Sequence, residues 1–179
     1  MLKELKPILF ILLRFLGIYF ILLFLYERIY LAHYKGCGLD PISRFMAQQV
    51  DYLQNFLGYK TYLVDNISAS GVYYCFDKKI LSIMVEGCNI ISVAILFLAF
   101  IFAFYQGKKT FLFSLFGLFL MYVMNIFRIA GLNILGIVSP RYFIPAHDFI
   151  FPAIIYGTIV ILWIVWINFF TLRNEKKNH

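Results

Sequence analysis

Charged residues are scarce in this chain. Only 14% of its 179 residues are charged, whereas 63% are hydrophobic and 20% are aromatic. An ordinary soluble domain carries about a quarter charged residues, so the composition excludes that class and indicates a protein surrounded largely by lipid. The net charge of +7 alone could suggest nucleic-acid binding. The basic residues lie at the ends of apolar runs, however, which favours membrane lipid as the partner and argues against nucleic acid.

Other absences narrow the chemistry. The chain has no P-loop and no glycine-rich phosphate motif, which argues against a nucleotide-dependent enzyme. No pair of Cys or His residues has metal-ligand spacing, so we predict neither a metal site nor a cofactor. The apolar runs also lack acidic residues apart from Asp148 at one border, which argues against an ion path through a small transporter.

Four apolar runs approach the roughly 20 helical residues that cross a hydrocarbon core of about 30 Å. They predict an all-α polytopic membrane protein that forms a single domain over residues 1–179. The first run is longer than the apolar part of a signal peptide and is followed by no small-residue cleavage site, so we interpret it as a retained anchor. The predicted spans are residues 7–26, 89–105, 110–127 and 148–170.

The distribution of Lys and Arg predicts the orientation, because cytoplasmic flanks carry an excess of positive charge. Basic residues flank the spans near the N-terminus, in the tight loop at Lys108 and Lys109, and near the C-terminus, whereas the segment over residues 27–87 has balanced charges. We therefore expect both termini in the cytoplasm. The segment 27–87 and the connection between Arg128 and His147 would then lie on the outer face.

The outer segment is patterned rather than random. From Pro41 to Leu57 apolar residues recur at steps of three and four, which predicts an interfacial amphipathic helix with its Gln, Asp and Asn face in water. Asp40 is its expected N-cap and Gly58 its expected stop. From Gly71 to Val85 two aromatic or branched runs surround a short polar turn, which predicts a small β-hairpin.

Three residues that could carry chemistry fall at this outer face. Cys88 is expected at the head of the second span, where helix N–H groups would lower the pKa of its thiol and could stabilise an oxyanion. Arg128 is expected to end the third span, where a charge is costly unless it meets a partner or a wet cavity. His147 precedes the fourth span and can exchange protons near neutral pH.

Each of these residues also has an ordinary explanation. Cys88 could simply pack between helices, Arg128 could snorkel to outer headgroups, and His147 could be a passive interfacial side chain. Together they supply a nucleophile, a proton carrier and a fixed cation at one face, which are the roles that acyl transfer by cysteine requires. We therefore predict Cys88, Arg128 and His147 as catalytic residues.

Further residues receive secondary predictions. Glu86, Asn125 and Asp148 are candidates for positioning the substrate; Asn125 lies one helical turn before Arg128, whereas adjacent residues such as His147 and Asp148 do not face each other on a helix. Arg14, inside the first span, either snorkels toward the cytoplasm or pairs within the bundle. Cys37 and Cys75 could form a disulfide in the outer compartment and leave Cys88 free.

At these residues the chain resembles the exosortase and archaeosortase family of membrane cysteine transpeptidases. The shared elements are Glu86-Gly87-Cys88 at the head of a membrane helix, Asn125-Ile126-Phe127-Arg128 later in the chain, and His147-Asp148 before the next span. The similarity covers about half of the chain, from Tyr73 to Tyr156. Asn89-Ile90-Ile91 departs from the commoner Ser-Gly pattern, and the smaller number of spans is similar to a short branch found in Bacteroidetes, exosortase family F.

This resemblance implies a function and a location. Such enzymes reside in the bacterial cytoplasmic (inner) membrane and cleave exported proteins that carry a C-terminal signal of short motif, transmembrane helix and basic cluster. They transfer the acyl group to a cell-surface acceptor. The resemblance implies Cys88 as nucleophile, His147 as acid and base, and Arg128 at the oxyanion. The alternative from the sequence is a non-enzymatic membrane assembly or lipid-binding subunit.

Overall fold

A computed structural model describes residues 2–34, 38–66 and 70–171 of the chain. Five main helices and one antiparallel sheet make up this part of the protein. The helices are α1 (Leu2–Phe24), α2 (Pro41–Phe56), α3 (Ile91–Ala103), α4 (Lys108–Val138) and α5 (Phe151–Val165), and the strands are β1 (Thr61–Asn66), β2 (Gly71–Phe76) and β3 (Lys79–Met84). Helix α1 continues through a π-helical stretch (Leu25–Leu31) into a last turn (Ala32–Tyr34).

Three helical segments in the described residues are long and apolar enough to cross a membrane, namely Leu5–Tyr34, Lys108–Val138 and Pro140–Phe169. The protein is thus a helical, membrane-associated protein. The predicted count of four spans is not confirmed, because α3 has 13 residues and rises about 20 Å, less than a hydrocarbon core of about 30 Å.

Helix α4 corrects two predicted boundaries. The expected third span and the apolar tail after it form one helix of 31 residues, so Arg128 lies inside this helix and not at its end. Nothing in the sequence stops the helix there, since Arg is a good helix former and Ile129, Ala130 and Leu132 are buried against the rest of the protein. The connection to the last span is also shorter than predicted, because helical turns resume at Pro140.

Helix α2 has the predicted ends. The Asp40 carboxylate accepts a hydrogen bond from the Ser43 backbone N–H at 3.1 Å, Pro41 occupies the first turn, and Gly58 follows with a φ of +91°. The predicted wet face is wrong in part, because Gln54 is fully buried. Its amide donates to the Ala130 carbonyl of α4 at 3.4 Å, so α2 rests on α4 through a polar contact.

The predicted hairpin is present as β2 and β3, and the structure adds β1 to form a three-stranded antiparallel sheet in the order β1-β2-β3. A lone hairpin is marginal in water, and the third strand together with packing on α2 gives this sheet its support. The sheet also meets α4, where the Ser82 hydroxyl donates to the Asn133 side-chain oxygen at 2.6 Å.

The helices pack through α3, which lies between α1, α4 and α5. Phe97 and Ile101 of α3 are fully buried. A Cβ atom at Gly117 of α4 would come within 2.2 Å of the Phe97 ring, so only glycine permits this close approach of the two helices. This packing fixes the chain that enters α3, and that chain contains Cys88.

Candidate active site

Cys88 lies in a short 3-10 turn (Glu86–Cys88) between β3 and α3. Helix α3 begins at Ile91, and Ile90 before it has a left-handed backbone with a φ of 64°, so the turn and the helix are separate. The helix therefore begins two residues later than the predicted start at residue 89, and Cys88 lies in a separate turn before it. The Ile91 N–H donates to the Asn89 side chain at 3.0 Å and does not point to the thiol.

A buried network holds this turn in place. The Asn89 amide donates to the hydroxyl oxygens of Tyr26 and Ser43, both at 2.9 Å, and only 2% of Asn89 is exposed. The Tyr26 hydroxyl in turn donates to the Glu86 carboxylate at 2.7 Å. Glu86, predicted to position substrate, is thus engaged by α1's π-helical extension. The network ties the turn to two other elements, since Tyr26 and Ser43 belong to that extension and to α2.

Asn125 connects the turn with Arg128. Its side chain is fully buried on α4, where its amide donates to the Cys88 carbonyl at 2.9 Å and its oxygen accepts from Arg128 Nη1 at 3.1 Å. The spacing of three residues places Asn125 and Arg128 on one helix face, as predicted. Asn125 therefore fixes both the backbone of the cysteine and the direction of the guanidinium.

One cavity of about 250 Å³ brings the three predicted catalytic residues together. The cysteine turn, helix α4 and the π-helical turn Ala146–Ile150 contribute Cys88, Arg128 and His147 respectively to its wall. The other described lining residues are mostly apolar: Leu81, Ser82, Ile83, Met84, Ile129, Leu132 and Phe143. An apolar cavity with few convergent polar groups is the usual form of a binding site.

His147 is oriented by its neighbour. Its Nδ1 lies 2.8 Å from the Asp148 carboxylate, and both side chains are about half exposed, at 49% and 50%. The prediction that the two do not face each other is wrong, because the π-helical turn has more residues per turn and brings adjacent side chains closer in direction. When Nδ1–H donates to Asp148, Nε2 is the nitrogen left to exchange a proton.

Arg128 retains spare hydrogen-bonding capacity. Its Nε is buried without a partner, and in the described part of the chain no carboxylate forms an ion pair with its guanidinium. A second cavity, lined by Gly87, Pro152 and Tyr156 among others, also reaches Arg128. A cation held by Asn125 with free donors can stabilise negative charge that develops near Cys88.

Several residues around the site were missed by the sequence analysis, above all Asn89, Tyr26, Ser43 and Tyr74. Tyr74 of β2 is fully buried and donates to the Ala47 carbonyl at 3.4 Å. Burial raises the pKa of its hydroxyl, and the nearby Asp51 carboxylate raises it further, so Tyr74 is a neutral neighbour of the cysteine. None of these four missed residues has sequence neighbours that would indicate its long-range contacts.

Two other predictions concern residues away from the cavity. Arg14 is exposed on α1, and its guanidinium carbon lies 6.0 Å from the centre of the Tyr105 ring, in the loop between α3 and α4. Cys75 is a buried free thiol in β2, and burial raises its pKa. Its predicted partner Cys37 lies outside the described residues.

Comparison of the chain with protein-family models, with curated proteins and with solved structures gives no match. Within the described residues, no group of three or more His, Cys, Asp or Glu side chains could hold a metal ion. The geometry around Cys88 is therefore the basis for a functional assignment.

Proposed function

We propose that this protein is a membrane-embedded cysteine peptidase or transpeptidase. The observation that carries the proposal is the shared cavity, in which Cys88, Arg128 and His147 converge from three separate segments. A nucleophile, a proton carrier and a cation in one apolar cavity are the groups that acyl transfer through a thioester needs.

In the proposed reaction, His147 Nε2 takes the proton of the Cys88 thiol. The thiolate attacks the scissile carbonyl carbon, and the C=O electrons form an oxyanion beside the Arg128 guanidinium. The C–N bond then breaks, His147 donates its proton to the leaving amine, and a thioester remains on Cys88. An incoming amine or water gives a proton to His147, attacks the thioester and releases the thiol.

The remaining polar groups act indirectly in this scheme. Asp148 holds the imidazole with Nε2 free, and Asn125 positions both the cysteine turn and the guanidinium. Glu86 acts further away, since it accepts a hydrogen bond from Tyr26 and stabilises the turn. Such supporting contacts keep catalytic groups within the narrow geometry that the reaction requires.

Helix length supports a site near one membrane face. Asn125 lies 17 residues after Lys108, and thus about 26 Å along α4, close to the thickness of a hydrocarbon core of about 30 Å. With Lys108 and Lys109 at the cytoplasmic face, Cys88 would open toward the outer side of a bacterial inner membrane and both termini would be cytoplasmic. The last turns of α4 would then extend beyond the core and support the sheet through Asn133.

The resemblance to exosortases supports a class of substrate. We propose that the protein cleaves exported proteins at a C-terminal signal composed of a short motif, a transmembrane helix and a basic cluster, and passes the acyl group to a surface acceptor. A substrate anchored by its own helix would present the scissile bond at the height of Cys88. Confinement to the membrane raises the effective concentration of such a substrate.

Co-expression with an exported protein that ends in an apolar helix and basic residues tests the proposal. Cys88→Ala should abolish cleavage while the variant remains folded in the membrane. Cys75→Ala is the matched control, because it removes a buried thiol that lies outside the cavity, and it should cleave normally. Normal cleavage by Cys88→Ala would refute the proposal.

A further inference from the structure

Strand β3 is one of the sheet's two edge strands, and it differs from β1 in bordering the cavity that contains Cys88. In the order β1-β2-β3, strand β3 pairs with β2 on one side, and no strand in the described residues pairs with its other side. An unpaired edge presents a row of free backbone N–H and C=O groups, which pairs readily with another extended chain. Proteins usually cover or disrupt such an edge.

The edge of β3 borders the catalytic cavity. Four consecutive residues, Leu81 to Met84, line the cavity together with Cys88, Arg128 and His147. Successive side chains of a strand point to opposite faces, so a cavity that touches four in a row runs along the edge of the strand and not over one face. The cavity therefore borders the edge of β3 along Leu81, Ser82 and Ile83, which are part-exposed, and ends at the buried Met84.

A β-bulge lies at the same place. Tyr74 pairs with Ser82 and Cys75 pairs with Ile80, so Leu81 has no partner on β2. Bulges concentrate next to active sites, where they turn the strand and redirect side chains. Here the bulge occurs where β3 meets the cavity, and the Ser82 hydroxyl anchors the strand to Asn133 of α4.

Strand β3 also leads directly to the cysteine. Val85 continues the extended backbone, with φ of −123° and ψ of 168°, and the 3-10 turn with Cys88 follows at once. A chain lying along β3 would therefore run toward the thiol. The four residues of β3 that border the cavity span about 13 Å, long enough for about four residues of an extended peptide.

We infer that an extended peptide segment of the protein substrate binds as a fourth strand on the free edge of β3 and is thereby delivered to Cys88. Main-chain hydrogen bonds would supply affinity with little dependence on sequence, while the apolar wall formed by Ile129, Leu132 and Phe143 would select an apolar side chain near the scissile bond. This inference rests on the proposed peptidase function and adds its mode of substrate recognition.

The test uses the full chain in nanodiscs and a reactive peptide as probe. An acetylated pentapeptide of alternating Thr and Val carries a C-terminal chloromethyl ketone, whose chloride leaves as the Cys88 sulfur bonds to its methylene carbon. Two matched peptides carry methyl groups on alternate backbone nitrogens. One peptide is methylated at every odd-numbered residue, and the other at every even-numbered residue. The rate of Cys88 modification is measured by mass spectrometry, with the chloromethyl ketone of acetyl-valine as the reference.

We expect the unmodified pentapeptide to label Cys88 faster than the reference, and methylation of one set to slow labelling about tenfold while the other set has little effect. Only every second N–H of an added strand faces its neighbour, so one set removes two or three hydrogen bonds and the other removes none, and such a loss costs at least this much. Equal slowing by both sets, no slowing, or no advantage over the reference would overturn the inference. So would labelling that falls as protein concentration rises, because a second copy would then occupy the edge.

The probe separates this inference from the proposed function. If co-expressed substrate is cleaved in a Cys88-dependent way but the peptides show no odd-even contrast, strand addition is refuted and the peptidase stands. If Cys88→Ala still cleaves the substrate, the proposed function itself fails.

Discussion

Two groups of polar side chains lie on either side of the cysteine turn, and they differ in how fully their hydrogen bonds are satisfied. On one side Asn89, Tyr26 and Ser43 form a buried hydrogen-bonded network, to which the part-exposed Glu86 is joined through Tyr26. On the other side His147 is about half exposed and Arg128 keeps a buried Nε without a partner.

The difference separates support from chemistry. A satisfied buried network fixes one conformation, and its loss is felt as reduced stability. Groups with unused donors and an exchangeable proton can instead respond to a charge that develops in a substrate. We therefore assign the Asn89 side to positioning of the turn and the Arg128 and His147 side to the reaction.

Apart from Cys88→Ala, the largest loss of activity is expected for His147→Ala. Without the imidazole no group of the cavity can move protons between the thiol and the leaving amine, so cleavage should slow about 10²- to 10⁴-fold. Quantitative immunoblotting of co-expressed substrate measures this change. His33→Ala is the control, because the His33 ring packs edge-to-face against Tyr34 outside the cavity; equal losses in both variants would contradict the assignment.

Arg128→Gln should reduce cleavage about 10²- to 10³-fold, since it removes the charge that stabilises the oxyanion. Arg44→Gln provides the comparison, because Arg44 forms an exposed ion pair with Asp65 that contributes about 0–1 kcal/mol. Single-turnover cleavage in membranes should be unchanged in the Arg44 variant. Wild-type cleavage by Arg128→Gln would show that the guanidinium has no part in the reaction.

Asn89→Ala should act on stability. It removes three hydrogen bonds, to Tyr26, Ser43 and the Ile91 N–H, at a cost of about 2–4 kcal/mol. The melting temperature in detergent should fall by about 5–15 °C. Gln48→Ala, at an exposed position of α2, should leave it unchanged. An unaltered melting temperature for Asn89→Ala would contradict the claim that the Asn89 network stabilises the cysteine turn.

The smallest effect is expected for Asp148→Asn. The carboxylate orients the His147 ring, but the pair is about half exposed and solvent weakens it, so cleavage should fall only about two- to fivefold. A rate loss as large as that of His147→Ala would mean that Asp148 acts directly on the substrate.

Local patterns predicted the local parts of this structure. The Asp40 cap, the Pro41 start and the hairpin followed from residue types within a few positions. Strand β1 is absent from the prediction although Thr61, Tyr62 and Val64 have high strand propensity and Ser70-Gly71 is a turn signal between them and the hairpin. The predicted third span ends before Arg128, because a charge usually marks the border of an apolar run. The helix itself continues to Val138.

The three residues that share the cavity could be predicted from the sequence, whereas the residues that hold the cysteine turn could not. Cys88, Arg128 and His147 stood out because each is a chemically unusual residue in an apolar setting. Asn89 and Tyr26, which are 63 positions apart, could not be paired from the sequence, since only folding brings them together. The left-handed Ile90, which separates Cys88 from α3, likewise has no local signature.

The most direct test of the account is detection of a thioester on Cys88. Wild-type protein is incubated with the co-expressed substrate, quenched in acid and digested, and the peptide that contains Cys88 is analysed by mass spectrometry with and without hydroxylamine. We predict an added mass that matches the substrate's acyl fragment and disappears with hydroxylamine. Efficient cleavage of the substrate with an unmodified Cys88 peptide throughout the time course would contradict the account.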